Sequence, residues 1–177
     1  TILVNEAPPS DITYSPDSFT LTIGTAMTNS VTPTVNGDPA TSWSISPSLP
    51  TGISFGTNNG TIWGTPTIIS ASTAYTVTAV NNGGSGTATI TMQVNDIAPS
   101  SINYSPSSLS LAKDSQMSDL MPTAQGGAVV TWSILPALPS GLSIDSSTGT
   151  ISGTPTVMSP STSYTVTATN TGGSATA

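Results

Sequence analysis

The chain has no cysteine, no histidine and no arginine, and its 177 residues include a single lysine, Lys113. Each absence removes a class of chemistry. Without Cys there is no disulfide. Without His or Cys there is no Ser-His or Cys-His nucleophile pair and no ordinary zinc site. Phosphate contacts need Lys and Arg, and a net charge of −7 turns nucleic acid away. Lys113 falls where the other half of the chain has Ile23, so no general role is expected of it. No run of 18 apolar residues occurs and no window carries a helical apolar stripe, so no membrane-spanning helix is expected. No signal peptide is visible, and a chain opening at Thr1 reads as a mature form or a fragment. We therefore expect no enzyme, no cofactor, no metal centre, no nucleic-acid partner and no membrane insertion.

What is present is repetition. Tyr14-Ser15-Pro16 recurs as Tyr104-Ser105-Pro106, Trp43-Ser44-Ile45 as Trp132-Ser133-Ile134, and Gly64-Thr65-Pro66 as Gly153-Thr154-Pro155. A period this long suits tandem domains with private cores better than a solenoid, and each copy is large enough for a modest core. The copies span residues 7–96 and 97–177, and residues 1–6 are left over. The first copy closes with GTATITMQVND, ending at Asp96, whereas the second stops at Ala177 after SATA. The leftover TILVNE at the front matches TMQVND, residues 91–96. Residues 1–6 thus read as the last strand of a preceding or neighbouring unit.

Periodicity is two almost everywhere: Phe19, Leu21 and Ile23 alternate with Thr20 and Thr22, and Tyr164, Val166 and Ala168 with Thr165 and Thr167. Ser and Thr make up about a third of the chain, and Gly and Pro recur at sandwich spacing. Seven short strands per copy are predicted, near 12–23, 27–35, 41–46, 52–55, 61–66, 74–81 and 86–95, then near 102–112, 117–124, 130–135, 141–144, 150–154, 163–169 and a truncated 174–177. Asn82-Gly83-Gly84 and Thr171-Gly172-Gly173 are predicted hairpin turns, with Gly supplying positive φ.

The run LPSGLSIDSSTGTISGTP, Leu138 to Pro155, followed by SYTVTATNTGGSATA, resembles the putative-immunoglobulin repeats of bacterial and archaeal surface proteins, which are similar in turn to the cadherin-like domain of dystroglycan. LPTGISFGTNNGTIWGTP, Leu49 to Pro66, carries the same frame, so the resemblance covers nearly the whole chain. It implies an all-β chain of two tandem seven-stranded immunoglobulin-like sandwiches on a cell surface, and no catalytic residues.

Candidate sites are few. Trp43 and Trp132 are expected to pack between the sheets. Trp63 has Ser152 as its counterpart, so the fold does not require an aromatic there; it is either a half-buried packing residue or a contact for a sugar ring or a neighbouring chain. Glu6, Asp11 and Asp96 lie near the hinges, but Asp11 and Asp17 become Ser101 and Ser107 in the second copy, and cadherin-type calcium sites need several carboxylates within a few residues. Solvated hinge charges are expected instead. Asp145 is expected to bond turn N–H groups. Asn59-Gly60-Thr61 and Asn103-Tyr104-Ser105 are glycosylation sequons, and an isopeptide cross-link would run from Lys113, the single lysine, to an Asn such as Asn170.

The expected role is a structural subunit or repeat of an extracellular, prokaryotic filament or cell-surface stalk, whose partners are copies of itself, head to tail. Ile2, Leu3 and Val4 form the assembly strand, and it completes the second sandwich of the next unit beside Tyr164, Val166 and Ala168. A covalent array cut at one repeat would show the same ends. The alternative is an adhesin or carbohydrate-binding module that meets surface glycans through Trp63; an accessory repeat of a secreted enzyme is a third. Because the hinge acids form no paired cluster, millimolar calcium should leave the melting temperature unchanged, which a thermal scan with and without chelator checks.

Overall fold

The computed structural model describes residue 2 and residues 4–177. It divides into two units, Thr1–Asn95 and Asp96–Ala177. Every regular element among the described residues is a β-strand.

The first unit holds β1 (Ser10–Thr13), β2 (Ser18–Thr22), β3 (Thr34–Asn36), β4 (Ser42–Ser46), β5 (Ile53–Phe55), β6 (Ile62–Gly64), β7 (Ser70–Asn81) and β8 (Gly84–Asn95). One sheet runs β2-β8-β7-β4. The other layer is built from the pairs β1-β3 and β5-β6, joined through an antiparallel bridge between Val31 and Ile62. Side chains from both layers meet in one core: Ile12, Tyr14 and Ile62 on one side, Phe19, Trp43, Tyr75, Val77, Ala79, Ile90 and Met92 on the other. Alternation carries this directly, since β8 buries Ile90, Met92 and Val94 completely while the residues between them stay half-buried.

The strand predicted over 12–23 divides in two. Ser15-Pro16-Asp17 separates β1 from β2, and Pro16 has no N–H to continue a ladder. The chain changes layer there: β1 pairs antiparallel with β3, and β2 runs parallel to β8, from Ser18 opposite Thr91 to Thr22 opposite Asn95. The strand predicted over 27–35 shrinks to β3 plus the Val31 bridge, Pro33 interrupting it in the same way.

The second unit holds β9 (Pro99–Tyr104), β10 (Pro122–Gly126), β11 (Thr131–Leu135), β12 (Leu142–Ile144), β13 (Ile151–Gly153), β14 (Thr165–Asn170) and β15 (Gly173–Thr176). β11-β14-β15 form one sheet, the pairs β9-β10 and β12-β13 build the other layer, and Leu120 bridges to Ile151 as Val31 does to Ile62. Its buried cluster is smaller: Trp132, Val166 and Ala168, with half-buried Ile102, Tyr104, Val129, Ile134, Ile144 and Ile151 around them.

Both cores are organised by the same latch. Trp43 lies against Gly60 so closely that a Cβ there, at φ +71°, would stand 2.6 Å from the ring, and Gly149 meets Trp132 in the same way. Tyr14 Oη donates to the Gly60 carbonyl at 2.6 Å and Tyr104 Oη to the Gly149 carbonyl at 2.6 Å. The Tyr-Ser-Pro and Trp-Ser-Ile repeats are therefore two ends of one contact.

A second duplicated device ties each unit's first residues to its hairpin. The Asn81 side chain accepts from the Gly83 and Gly84 N–H groups at 2.8 and 3.1 Å and donates to the Ala7 carbonyl at 2.8 Å. Asn170 accepts from Gly172 N–H at 2.8 Å and donates to the carbonyls of Ile97 and Ala128 at 2.7 and 3.1 Å. Glycine is required at 83 and 172 because the Glu6 and Asp96 carbonyls press on them, leaving no room for a Cβ. Positive φ instead falls on Gly84 and Gly173, at +143° and +144°.

Trp43→Ala should destabilise the first sandwich by about 3–5 kcal/mol, read from denaturant midpoints. Burial pushes the Tyr104 phenol up from 10.0 to about 12. A raised acid favours the fold below its unfolded value, so the second sandwich should lose stability as pH climbs from 10 towards 12. Tyr104→Phe should cost about 1 kcal/mol at neutral pH for the lost bond to Gly149 and flatten that alkaline decline.

Candidate functional site

Two places carry the candidate residues: an open edge in the second sandwich and a shallow concavity on the first.

The edge is defined by comparing equivalent strands. In the first sandwich β8 lies between two neighbours, with β2 parallel on one side and β7 antiparallel on the other. Its second half supplies the pairs Phe19–Met92, Leu21–Val94, Thr73–Met92 and Ser70–Val94. In the second sandwich β15 pairs with β14 from Asn170 to Thr167, and Ala177 exchanges two backbone bonds with Val166, both at 2.9 Å. Residues 108–112, the counterparts of β2, form no strand. Leu109 is 45% exposed, whereas its counterpart Phe19 is 6% exposed, and Leu111 is exposed as well. The counterpart of the first half of β7, residues 159–164, also forms no strand. Tyr164 is half-buried where Tyr75 is buried. Serine and leucine alternate over Ser108-Leu109-Ser110-Leu111, so a β pattern is present and a ladder partner is what the strand predicted over 102–112 lacks among the described residues.

Of the predicted acceptor residues, Val166 and Ala168 face the core of β14, and their backbones pair with Ala177 and Ala175. Only Tyr164 borders the open edge. Of the predicted assembly strand, Ile2 and Val4 are 92% and 87% exposed and belong to no strand. Leu3 lies outside the described residues.

Trp63 is 44% exposed on β6, with Ile62 beside it turned into the core. It borders a concavity of about 620 Å³ with Ser30, Phe55, Thr57, Asn58, Asn59 and Thr61, a lining without a charged group. The sequon residue Asn59 is exposed in this rim, its side-chain oxygen accepting from Thr61 N–H at 3.1 Å. Asn103 is exposed on β9 opposite Thr123.

The hinge acids act as local acceptors. Glu6 takes the Asn82 N–H at 3.2 Å, Asp11 the Asn36 amide at 3.1 Å and Asp96 the Ile97 N–H at 2.7 Å. Among the described residues no three acidic, His or Cys side chains gather as metal ligands would. Asp145 accepts from Thr148 N–H, the Ser147 hydroxyl and Ser147 N–H, and these bonds hold its carboxyl below the usual value. Lys113 pairs with Asp114 at 2.7 Å on the surface, and the Asn170 amide is committed to its clamp.

The open edge gives a direct contrast. At dilutions where the chain is monomeric, Phe19→Ser should cost about 3 kcal/mol, and Leu109→Ser, at the equivalent position, less than about 0.5 kcal/mol, as chemical denaturation of the two variants will show.

Sequence and structure comparisons agree with this architecture. The family described as "Putative Ig domain" matches residues 9–95 and again 99–177. The "Serine-rich adhesin for platelets" of Staphylococcus aureus strain MRSA252 is 32% identical over 144 residues, which are 81% of this chain and 11% of the adhesin; in strain USA300 the same share of this chain matches 6% of the adhesin. The chain thus spans a small part of those relatives. Among solved structures, the N-terminal eight Ig domains of Down Syndrome Cell Adhesion Molecule superpose with a TM-score of 0.54 at 15% identity, covering 99% of this chain and 26% of that one. The N-terminal four Ig domains of Dscam1 isoform 6.44 give 0.53 at 14%, covering 99% and 46%. At such identities the likeness concerns fold alone. With both of its sandwiches matched end to end, the chain belongs to the putative Ig domain family, as a tandem pair.

Proposed function

We propose that this chain is a non-enzymatic link of an extracellular bacterial filament or cell-surface stalk. Its second sandwich is completed by residues 1–6 of the adjoining unit. The observation that carries this is the stretch 108–112, unpaired among the described residues, which has a strand's alternation and exposes Leu109 and Leu111 where the first sandwich buries Phe19 beside β8. An edge of this kind recruits a strand, through backbone bonds for affinity and alternate side chains for register. A contact between one unit's front and the next unit's back is heterologous, and it propagates as a fibre wherever its rotation does not close a ring. The match to a staphylococcal adhesin for platelets supports the location.

A second role rests on Trp63. An exposed indole bordering an uncharged rim of amides and hydroxyls suits stacking of a neutral sugar ring, which would make the first sandwich a glycan-contacting module. The two roles occupy different faces of different units and are compatible.

Deleting residues 1–5, which keeps Glu6 over the hairpin, should abolish filaments seen by electron microscopy and leave the melting of the first sandwich unchanged. Filaments of normal length from the shortened chain would show that the joint lies elsewhere.

A further inference from the structure

Around Trp63 the first sandwich carries a chemistry that the second lacks on the same backbone. Shared backbone bonds fix the counterparts. Trp43 N–H bonds the Thr57 carbonyl as Trp132 N–H bonds that of Ser146, and Gly56 N–H bonds Thr61 as Asp145 N–H bonds Thr150. The bridge from Val31 to Ile62 matches that from Leu120 to Ile151. Trp63 therefore corresponds to Ser152, Asn59 to Thr148, Gly56 to Asp145 and Ser30 to Asp119. Asp119 and Asp145 are both exposed, so this surface of the second sandwich is acidic where that of the first is uncharged and aromatic.

The turns also differ, and the difference sets the polar contacts. In the second sandwich the Asp145 carboxylate takes the N–H groups of Ser147 and Thr148 at 2.8 and 2.9 Å. The Thr148 hydroxyl accepts from Thr150 N–H at 3.2 Å and donates to the Thr150 hydroxyl at 2.9 Å, so its single proton is used. In the first sandwich Gly56 carries no side chain, and Asn59 folds into the space, where a Cβ at 56 would collide with Asn59 Oδ1. That oxygen accepts from Thr61 N–H at 3.1 Å. A backbone N–H can only donate, so this bond fixes which end of the amide faces the turn. The Asn59 NH2 group is left on the rim that it shares with Trp63, and it enters no hydrogen bond among the described residues. The Thr61 hydroxyl, by contrast, is paired with that of Thr32 at 3.1 Å.

Charge narrows the ligand. An anionic sugar calls for a cationic side chain, and the chain has no arginine and no histidine, while its one lysine belongs to the second sandwich. A neutral sugar calls for an apolar platform under its C–H face and for donors to its oxygens. Trp63 supplies the first and the Asn59 NH2 the second.

We infer that the first sandwich binds one neutral pyranose ring, stacked on the Trp63 indole with the Asn59 NH2 donating to a sugar oxygen, and that the second sandwich has no such site. This rests on the glycan-contact reading of Trp63 given above and adds the class of sugar, the second contact and the restriction to one unit. A single ring on a shallow face binds with a Kd on the order of 1 mM.

The three tryptophans make the site readable in the full chain labelled with nitrogen-15. The variant W63S identifies the Trp63 indole N–H signal by its loss. Glucose, galactose and N-acetylglucosamine are titrated through the millimolar range, with N-acetylneuraminic acid as the anionic control. At least one neutral sugar should move the Trp63 indole and Asn59 side-chain signals together, leaving those of Trp43 and Trp132 in place, and the anionic sugar should move none. In N59T the new residue is the second sandwich's own, which caps the equivalent N–H, so the turn holds. Binding should weaken about threefold to tenfold for the lost donor. Undiminished binding by N59T overturns the Asn59 contact and leaves the Trp63 reading standing. An equal response to N-acetylneuraminic acid overturns the class of sugar. If none of the four sugars moves the Trp63 signal, the inference and the reading beneath it fall together.

Discussion

Backbone hydrogen bonding is the constraint on which this structure turns. A β-strand inside a sandwich must satisfy its N–H and C=O groups on both flanks or leave an edge that other chains can pair with. β8 meets that demand on both sides at once, parallel to β2 and antiparallel to β7, and in doing so seals Ile90, Met92 and Val94 against the opposite layer. In the second sandwich no described strand lies on that side: β14 is shorter than β7, Leu109 and Leu111 are exposed and the buried cluster is smaller. The serine-leucine alternation over residues 108–111 is intact all the same.

The two latches explain why the rest of the second unit nonetheless keeps its form. Each core places an indole against a glycine and fastens that glycine's carbonyl with a tyrosine hydroxyl. None of the three residues of either latch lies on β8 or β15. The asparagine clamps at the hairpins do similar work for the entry of each unit, where a single buried amide settles several backbone groups that would otherwise compete for water.

Much of this was legible in the residues. Alternation located most strands, and the duplicated Trp marked both cores. What escaped depended on partners distant in sequence. Nothing in residues 12–23 says that the first half pairs with β3 and the second half with β8, since both halves alternate correctly. Val166 and Ala168 were expected beside an incoming strand because the second copy carries only a short last strand; the described Ala175 and Ala177 pair with them instead. The clamps leave a trace in the sequence, since Asn81 and Asn170 each stand two residues before a Gly-Gly pair. The Asn170 amide is committed to its clamp, which does not suit it to a cross-link with Lys113.

The parallel pairing of β2 with β8 has a mechanical consequence. β2 is reached from the front of the first sandwich and β8 leads out of its back, so a pull on the two ends draws these strands in opposite directions along their common axis. Bonds between strands loaded in that way share the force and break together, whereas a hairpin pulled from its open end unzips one bond at a time. A sandwich with this ladder is a shear clamp. In a head-to-tail assembly the strand that fastens one link to the next would also build the clamp of the link that receives it, so each joint and the tensile strength of its sandwich would arise in the same step.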